Sequence, residues 1–335
     1  MTAILDIKNI DKHFDISGTI LDQLRLDGGR ITRKRTVVKA VNGVTLSVMP
    51  GETLSVVGES GCGKSTLART VMGLYRPNRG EILYKGERID NLSSSQMLPY
   101  RTKMQMVFQD PYASLNPRMT VRQILEEPVR LHNPSLNRDE VHDKVAEVMR
   151  RVGVDPVWST NYPHEFSGGQ RQRISIARAL VVDPEFIVAD EPIAALDVSI
   201  QAQILNLLMD AQEERGLTYL FISHDLSVVE HISSRVCVMY LGCVCELGPA
   251  AELFANPRHP YTQALLSAIP RLGGKAGGHT RLSGDVPTPI NLPSGCVFHG
   301  RCPHAGKRCM TEAPAPRTMQ SGVVVACHAV AEGRI

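Results

Sequence analysis

The sequence predicts an α/β protein: a mostly parallel, helix-covered sheet follows a small antiparallel layer, takes a helical block as an insertion, and ends in an irregular extension that carries cysteines. Three observations predict this. Apolar, β-branched runs alternate with helical runs from about residue 185 to 245, as strands joined by crossover helices require. Strand-like runs without helices fill much of residues 1–57. Beyond about residue 250, Pro and Gly become frequent, as in "NPRHPY", "LGGKAGGH" and "GDVPTPINLPSG".

Taken in order, "AILDIKNI" and "VKAVNGVTLSVMPGETLSVVGES" read as strands broken by Asn-Gly and Pro-Gly turns. Residues 17–35 between them are rich in Gly, Arg, Asp and Thr without apolar periodicity and read as a long surface insertion. Residues 120–152 show helical spacing in "TVRQILEEPVRLH" and "NRDEVHDKVAEVMRRVG", with Gly153 as the stop, and 169–181 reads as another helix. There follow the strand "EFIVADE", the helix "SIQAQILNLLMDAQEERG", the strand "TYLFIS", the helix "DLSVVEHIS" and the strand "RVCVMYLG". The expected division is one large α/β domain over 1–250, with a helical subdomain at about 110–180, and an extension over 251–335. No internal repeat is visible.

With 335 residues and 43% hydrophobic content the chain can bury a substantial core. A formal charge of +3 is too mild to argue for nucleic acid, and the local run Arg25, Arg30, Arg33, Lys34, Arg35 and Lys39 reads as a solvated loop. The charged N-terminus "MTAILDIKNIDKHF" lacks the apolar region of a secretory signal, so a cytoplasmic protein is expected. No window approaches the roughly 18 apolar residues of a membrane span. If a membrane matters, another subunit supplies it. In a reducing compartment eight cysteines are not expected to form structural disulfides, so a cluster among them reads first as metal ligands.

"GESGCGKS", Gly58 to Ser65, satisfies G-x-x-x-x-G-K-[ST] between the strand "TLSVV" and the helix "TLARTVMGL". That context predicts a P-loop NTPase site lined by Gly58, Ser60, Gly61, Cys62, Gly63, Lys64, Ser65 and Thr66. Backbone N–H groups turn inward around the phosphates, Lys64 reaches the β- and γ-phosphates, and Ser65 ligates Mg²⁺. The Cys62 thiol itself looks incidental. "FIVADE" ends in Asp190, which would hold Mg²⁺ through water, and Glu191, which would polarise an attacking water. The plainer reading of that pair is helix capping. His224, at the end of "YLFIS", would reach the γ-phosphate; a lone histidine there is usually structural.

"FSGGQRQR", residues 166–173, resembles the signature motif of ATP-binding-cassette (ABC) ATPases, with Phe166 replacing the usual Leu. In that family's pattern Gln109 of "MVFQDP" matches the Q-loop and a Mg²⁺ contact, Asp197 of "AALD" the D-loop, and His224 the switch histidine. "IAALD" departs from the commoner Thr/Val-Ser-Ala-Leu-Asp. "SLNPRMTVRQILEEP", "SHDLSVVEHI", "NPRHPYTQALLSAIPRL" and "LSGDVPTPINLPSGC" narrow the resemblance to ATP-binding subunits of bacterial dipeptide and oligopeptide importers, most like the F-type subunits of dipeptide importers.

The resemblance implies an ATPase powering uptake of dipeptides or short peptides, on the cytoplasmic face of the bacterial inner membrane. Its partners would be a second, often non-identical ATP-binding subunit, two transmembrane permeases and a peptide-binding protein. Importers for oligopeptides or nickel are the nearest alternatives. It further implies that Ser167, Gly168, Gly169 and Gln170 serve the nucleotide on the facing subunit, and that Phe14 stacks on adenine. An aromatic in an early strand is as often core.

Cys296, Cys302, Cys309 and Cys327 are spaced too widely for paired C-x-x-C knuckles, yet suit a tetrahedral metal or an iron–sulfur cluster. His299, His304 and His328 are alternative ligands, and Cys237, Cys243 and Cys245 read as packing residues. The residues leave zinc and iron–sulfur level; the resemblance favours a [4Fe–4S] cluster. A chromosome-maintenance ATPase would need a long coiled coil between Gln109 and Ser167, and a tandem-cassette translation factor a second phosphate loop; neither is present. A free-standing redox protein is a third, weaker reading.

Overall fold

A computed structural model of the chain describes residues 2–18, 24–27, 30–33, 35–194, 196–269 and 287–335. Lys34, Ala195 and the stretch "LGGKAGGH" lie outside the described residues. The chain forms two compact units, one of residues 1–4, 48–54 and 91–223, the other of 5–47, 55–90 and 224–335.

In the second unit the chain opens with β1 (Leu5–Asp15), β2 (Leu24–Asp27), β3 (Arg30–Arg33) and β4 (Val37–Val48), then β5 (Thr53–Val57), helix α1 (Lys64–Val71), β6 (Arg79–Tyr84) and β7 (Glu87–Arg88). The antiparallel layer has the order β4-β1-β6-β7, with Leu5 opposite Tyr84 and Ile7 opposite Ile82. Its alternation follows from the sequence: Leu5 and Ile7 are buried while Asp6 and Lys8 are not. The expected insertion contains an antiparallel pair, β2 and β3, with Leu24 opposite Arg33 and Asp27 opposite Arg30. "LRLDGGRITR" carries a hairpin signal, Gly-Gly between two short alternating runs, that the reading of residues 17–35 as an insertion without apolar periodicity passed over.

The other unit contains β8 (Met104–Val107), α2 (Val121–His132), α3 (Arg138–Arg151), α4 (Gly168–Leu180), β9 (Phe186–Asp190), α5 (Val198–Arg215) and β10 (Thr218–Ile222). The strands are parallel in the order β10-β9-β8, with Asp190 opposite Ile222. Every residue of β9 and β10 is buried, as a sheet with both faces covered demands. The helices start where their caps say. Thr120 with Gln123, and Asn137 with Glu140, close reciprocal capping boxes on α2 and α3. Val121, Ile124, Leu125 and Val129 make the buried stripe of α2. Gly216 ends α5 at φ 65.

Back in the second unit, α6 (Leu226–Ile232) is capped by Asp225, and β11 (Arg235–Tyr240) pairs antiparallel with β12 (Cys243–Pro249). Helix α7 (Pro260–Ser267) follows. The extension is less irregular than its composition implies. Its strands β13 (Arg317–Thr318) and β14 (Val324–Val325) pair, and β14 adds to β12 with Val325 opposite Glu246. Cys296, Phe298 and Cys309 are buried in one cluster with Tyr240, Leu253 and Tyr261, so the extension shares that unit's core.

Candidate functional sites

The phosphate loop runs from β5 into α1, and its glycines answer to backbone crowding. A Cβ on Gly58, at φ 150, would lie 2.1 Å from the carbonyl oxygen of Met239; one on Gly63, at φ 105, would lie 2.0 Å from that of Ala40. Lys64, the first residue of α1, is 5% exposed. Its Nζ donates to the carbonyls of Gly58 at 2.7 Å and Glu59 at 3.1 Å. Two carbonyls satisfy much of the ammonium's demand, which makes burial tolerable and fixes the charge beside the loop. Cys62 is buried, and burial holds its thiol above the usual range despite Lys64 nearby. Ser65 and Thr66 follow in the first turn of α1, while Ser60 and Gly61 form the outer bend.

Glu59 was not singled out by sequence. Its backbone N–H donates to the Tyr261 hydroxyl at 2.9 Å, and its carboxylate takes a two-pronged contact from Arg301 at 2.7 and 3.1 Å. In the same unit Phe14 of β1 meets Tyr75 edge-on at 5.2 Å, and Lys12 Nζ lies 4.9 Å from the Phe14 ring centre. Phe14 thus belongs to an aromatic–cation cluster, and Tyr75 is a second aromatic that sequence did not flag. Exposed His224 lies just beyond the end of β10, before the Asp225 cap of α6.

In the other unit, β9 delivers buried Asp190 at its last position and Glu191 immediately after. Glu191 sits at φ 49, a left-handed conformation costly for a residue with a side chain. Its N–H donates to the Ile222 carbonyl at 3.0 Å, and Gln109 Nε2 donates to its Oε2, also at 3.0 Å. The carboxylate is therefore oriented from both backbone and side chain.

Ser167 and Gln170 form a capping box at the start of α4: Gln170 N–H donates to Ser167 Oγ at 3.3 Å and Ser167 N–H to Gln170 Oε1 at 2.9 Å. Gly168 has open space apart from Leu196 at 3.9 Å, whereas a Cβ on Gly169 would lie 2.7 Å from Ile200 Cγ2. Gly169 is what lets α4 approach α5. Asp197 occupies the N-cap position of α5 without a side-chain capping bond. Phe166, the departure from Leu, is buried and packs edge-on against Trp158 at 6.3 Å.

Cys296, Cys309 and Cys327 are buried and Cys302 half-buried, all as thiols. Cys296 donates its N–H to the Cys309 carbonyl at 2.8 Å. Burial first, with Cys309, Cys327 and Cys302 as smaller causes, pushes the Cys296 thiol up to about 11. Among the described residues no three His, Cys, Asp or Glu stand as a ready metal-ligand group. The donor chemistry fits a thiolate-bound cationic centre, since buried thiols ionise only beside positive charge. His299 Nδ1 and His328 Nε2 each bond a backbone oxygen, of Cys296 and Glu312, a bond that fixes the ring and is compatible with ligation through its other nitrogen. Among the described residues no helix is long and apolar enough to cross a membrane.

A glycine phosphate loop ahead of a helix, a strand that ends in a buried Asp and a Glu held by a glutamine, and a capped Ser-Gly-Gly-Gln helix define an ABC ATPase. Solved cassettes share the architecture. The dimeric post-hydrolysis cassette MJ0796 bound to ADP and Pi aligns with a TM-score of 0.64 at 27% identity, over 73% of this chain and 98% of that one. The cbiO1 protein of Clostridium perfringens, part of the ABC transporter complex cbiONQ, aligns at 0.62 and 29% identity, over 76% and 92%. Residues 41–194 match the ABC transporter family and residues 245–309 the oligopeptide/dipeptide transporter C-terminal region. The oligopeptide transport ATP-binding protein AppF of Bacillus subtilis is 53% identical over 331 residues, 97% of each chain. The Di/tripeptide transport ATP-binding protein DppF of Pseudomonas aeruginosa is 46% identical over 329 residues, 98% of each. This chain belongs to the ABC transporter ATP-binding proteins of the oligopeptide/dipeptide family.

Proposed function

We propose that the chain hydrolyses ATP to power uptake of dipeptides and short oligopeptides through partner permeases. The observation that carries this is coverage. The cassettes align with about three quarters of the chain, 73 and 76%, whereas the AppF relative aligns with 97%, including the cysteine extension. Relatives are named for both oligopeptides and dipeptides, so peptide length is assigned to other subunits. The chain works on the cytoplasmic membrane face, paired with a second ATP-binding subunit beneath two permeases fed by a peptide-binding protein. We divide it into a cassette over 1–250, with its helical subdomain at about 110–180, and the extension over 251–335.

In this reading Lys64 and the amides of residues 58–66 hold the phosphates, and Phe14 stacks on adenine. Ser65, Gln109 and Asp190 hold Mg²⁺, which neutralises charge developing on the phosphate oxygens. Glu191 takes the proton of the attacking water, with Gln109 orienting the carboxylate and His224 contacting the γ-phosphate. Ser167, Gly168, Gly169, Gln170 and Asp197 serve the facing subunit's nucleotide. Cys296, Cys302, Cys309 and Cys327 hold a [4Fe–4S] cluster as a structural staple, a reading that rests on their donor type and on the family resemblance. Co-expression with candidate permeases and a second cassette tests the whole. Peptide-stimulated ATPase in the reconstituted complex is expected. A purified membrane complex whose ATPase ignores peptides but responds to nickel would replace the peptide assignment.

A further inference from the structure

Glu59 is the second residue of the phosphate loop, and it is held from three directions. Its carbonyl accepts the Lys64 ammonium at 3.1 Å. Its N–H donates to the Tyr261 hydroxyl at 2.9 Å. Its carboxylate receives Nη1 and Nη2 of Arg301 at 2.7 and 3.1 Å. Two of these three partners lie beyond residue 250, in the extension rather than in the cassette proper.

The Arg301 contact is built, not incidental. The side chain is 8% exposed and that of Glu59 23%, so solvent screens the pair less than a surface bridge. Both prongs are engaged, which fixes direction as well as distance. Nη1 also reaches the Tyr240 hydroxyl at 3.4 Å, and Tyr240 packs with Tyr261 and Phe298 at centroid distances of 4.7 and 5.2 Å. Arg301 itself closes a single tight turn, His299–Arg301, with Cys296 and Cys302 on either side. The backbone bonds Arg301 N–H to Phe298 O and Cys302 N–H to His299 O set its place.

We propose that Arg301 is a positioning residue for ATP: from between two of the extension's cysteines it holds Glu59, and through it the phosphate loop, in the conformation that receives the nucleotide. Glycines at 58, 61 and 63 make the loop expensive to order, and an external fork removes part of that cost before ATP arrives. Neither group is assigned a chemical step, so the effect falls on nucleotide affinity rather than turnover. The extension is thereby a part of the nucleotide site, and the conformation around Cys296 and Cys302 is read out at the phosphate loop.

The test is a double-mutant cycle on the full-length chain, assembled with its transporter partners for the kinetic arm. Arg301→Ala should raise the Kd for MgATP and the KM for ATP about tenfold, the loss expected of a partly buried charged hydrogen-bond pair, with kcat within about twofold. Arg301→Lys should recover part of the affinity by restoring charge without the fork. In a Glu59→Gln background Arg301→Ala should cost no more than about twofold. Unchanged affinity in a folded Arg301→Ala protein overturns the proposal. Equal losses in both backgrounds overturn it too, because Arg301 would then act by another route. Where Arg301→Ala lowers the melting temperature, Arg301→Gln, which keeps the stem, takes its place in the cycle.

Discussion

Gln109 Nε2 donates to Glu191 Oε2 at 3.0 Å, joining a residue two positions beyond β8 to the residue after β9 across 82 positions of sequence. The bond holds one carboxylate oxygen while the Ile222 carbonyl pins the same residue's N–H, so Glu191 is oriented despite its left-handed backbone. Glu191→Gln keeps the size, the acceptor oxygen and the backbone. It removes only the basicity. The variant should bind ATP with near-normal affinity and hydrolyse it at least about a hundredfold more slowly in the assembled transporter. Wild-type turnover in that variant would remove Glu191 from the base role.

Gly169 tests a steric claim against a functional one. A Cβ there would press within 2.7 Å of Ile200 Cγ2, a branch atom close to the α5 backbone. Gly169→Ala should therefore destabilise the protein by about 1–2 kcal/mol, overpacking outweighing the gain of roughly 1 kcal/mol from better helix propensity. Ile200→Ala placed on top of Gly169→Ala should restore part of the loss in urea unfolding. If the pair is no more stable than Gly169→Ala alone, crowding by Ile200 is not the reason for the glycine.

What the sequence could reveal was whatever fits into a short contiguous window. The phosphate loop, the end of β9 and the Ser-Gly-Gly-Gln cap each occupy about eight residues or fewer, and their flanking strand or helix patterns are local. Three things were hidden. The reason for Gly58 and Gly63 lies in carbonyls of Met239 and Ala40, far along the chain. Strands β13 and β14 are two residues long, too short for any periodicity, and exist because β12 offers an edge. The Arg301–Glu59 fork spans 242 positions, and neither residue alone differs from a solvated charge. The four cysteines were legible as ligand types, but spacing carries no distance between sulfurs.

A pH effect follows from His259. It is 2% exposed, its Nδ1 accepts the Tyr261 N–H at 3.0 Å, and burial pushes its pKa down to about 4. The unfolded chain, with a histidine near 6.5, binds the proton more readily than the folded one. Its contribution is complete above about pH 6.5 and is lost as pH falls toward 4, amounting to about 3–4 kcal/mol at most. Burial raises the carboxyl of neighbouring Glu246, which acts in the opposite direction, so the comparison must be differential. His259→Asn keeps an acceptor at the Nδ1 position for Tyr261 and should lose less stability than wild type in urea unfolding between pH 7 and pH 5. Parallel losses would show that His259 is not the acid-sensitive group.

Cys302 is the most accessible of the four clustered thiols, half-buried where Cys296, Cys309 and Cys327 are buried. The extension docks Phe298 into the same unit's buried core and closes a small apolar cluster of its own around Val323, Val325, Cys327 and Ala329, so a bound centre would act as a cross-link rather than a catalyst. Cys302→Ser, in anaerobically prepared protein, should abolish broad visible absorbance and the stoichiometric iron and acid-labile sulfide. Stoichiometric zinc without iron in the wild type would replace the cluster with a zinc site, and an intact cluster in Cys302→Ser would remove this residue from the ligand set. Because Arg301 directly precedes Cys302 and its fork braces the phosphate loop, the same variant should also weaken ATP binding. The loss should not exceed that of Arg301→Ala, since Lys64 and its carbonyl partners Gly58 and Glu59 stay in place. A larger loss would mean that the cysteines support the loop by contacts other than this fork.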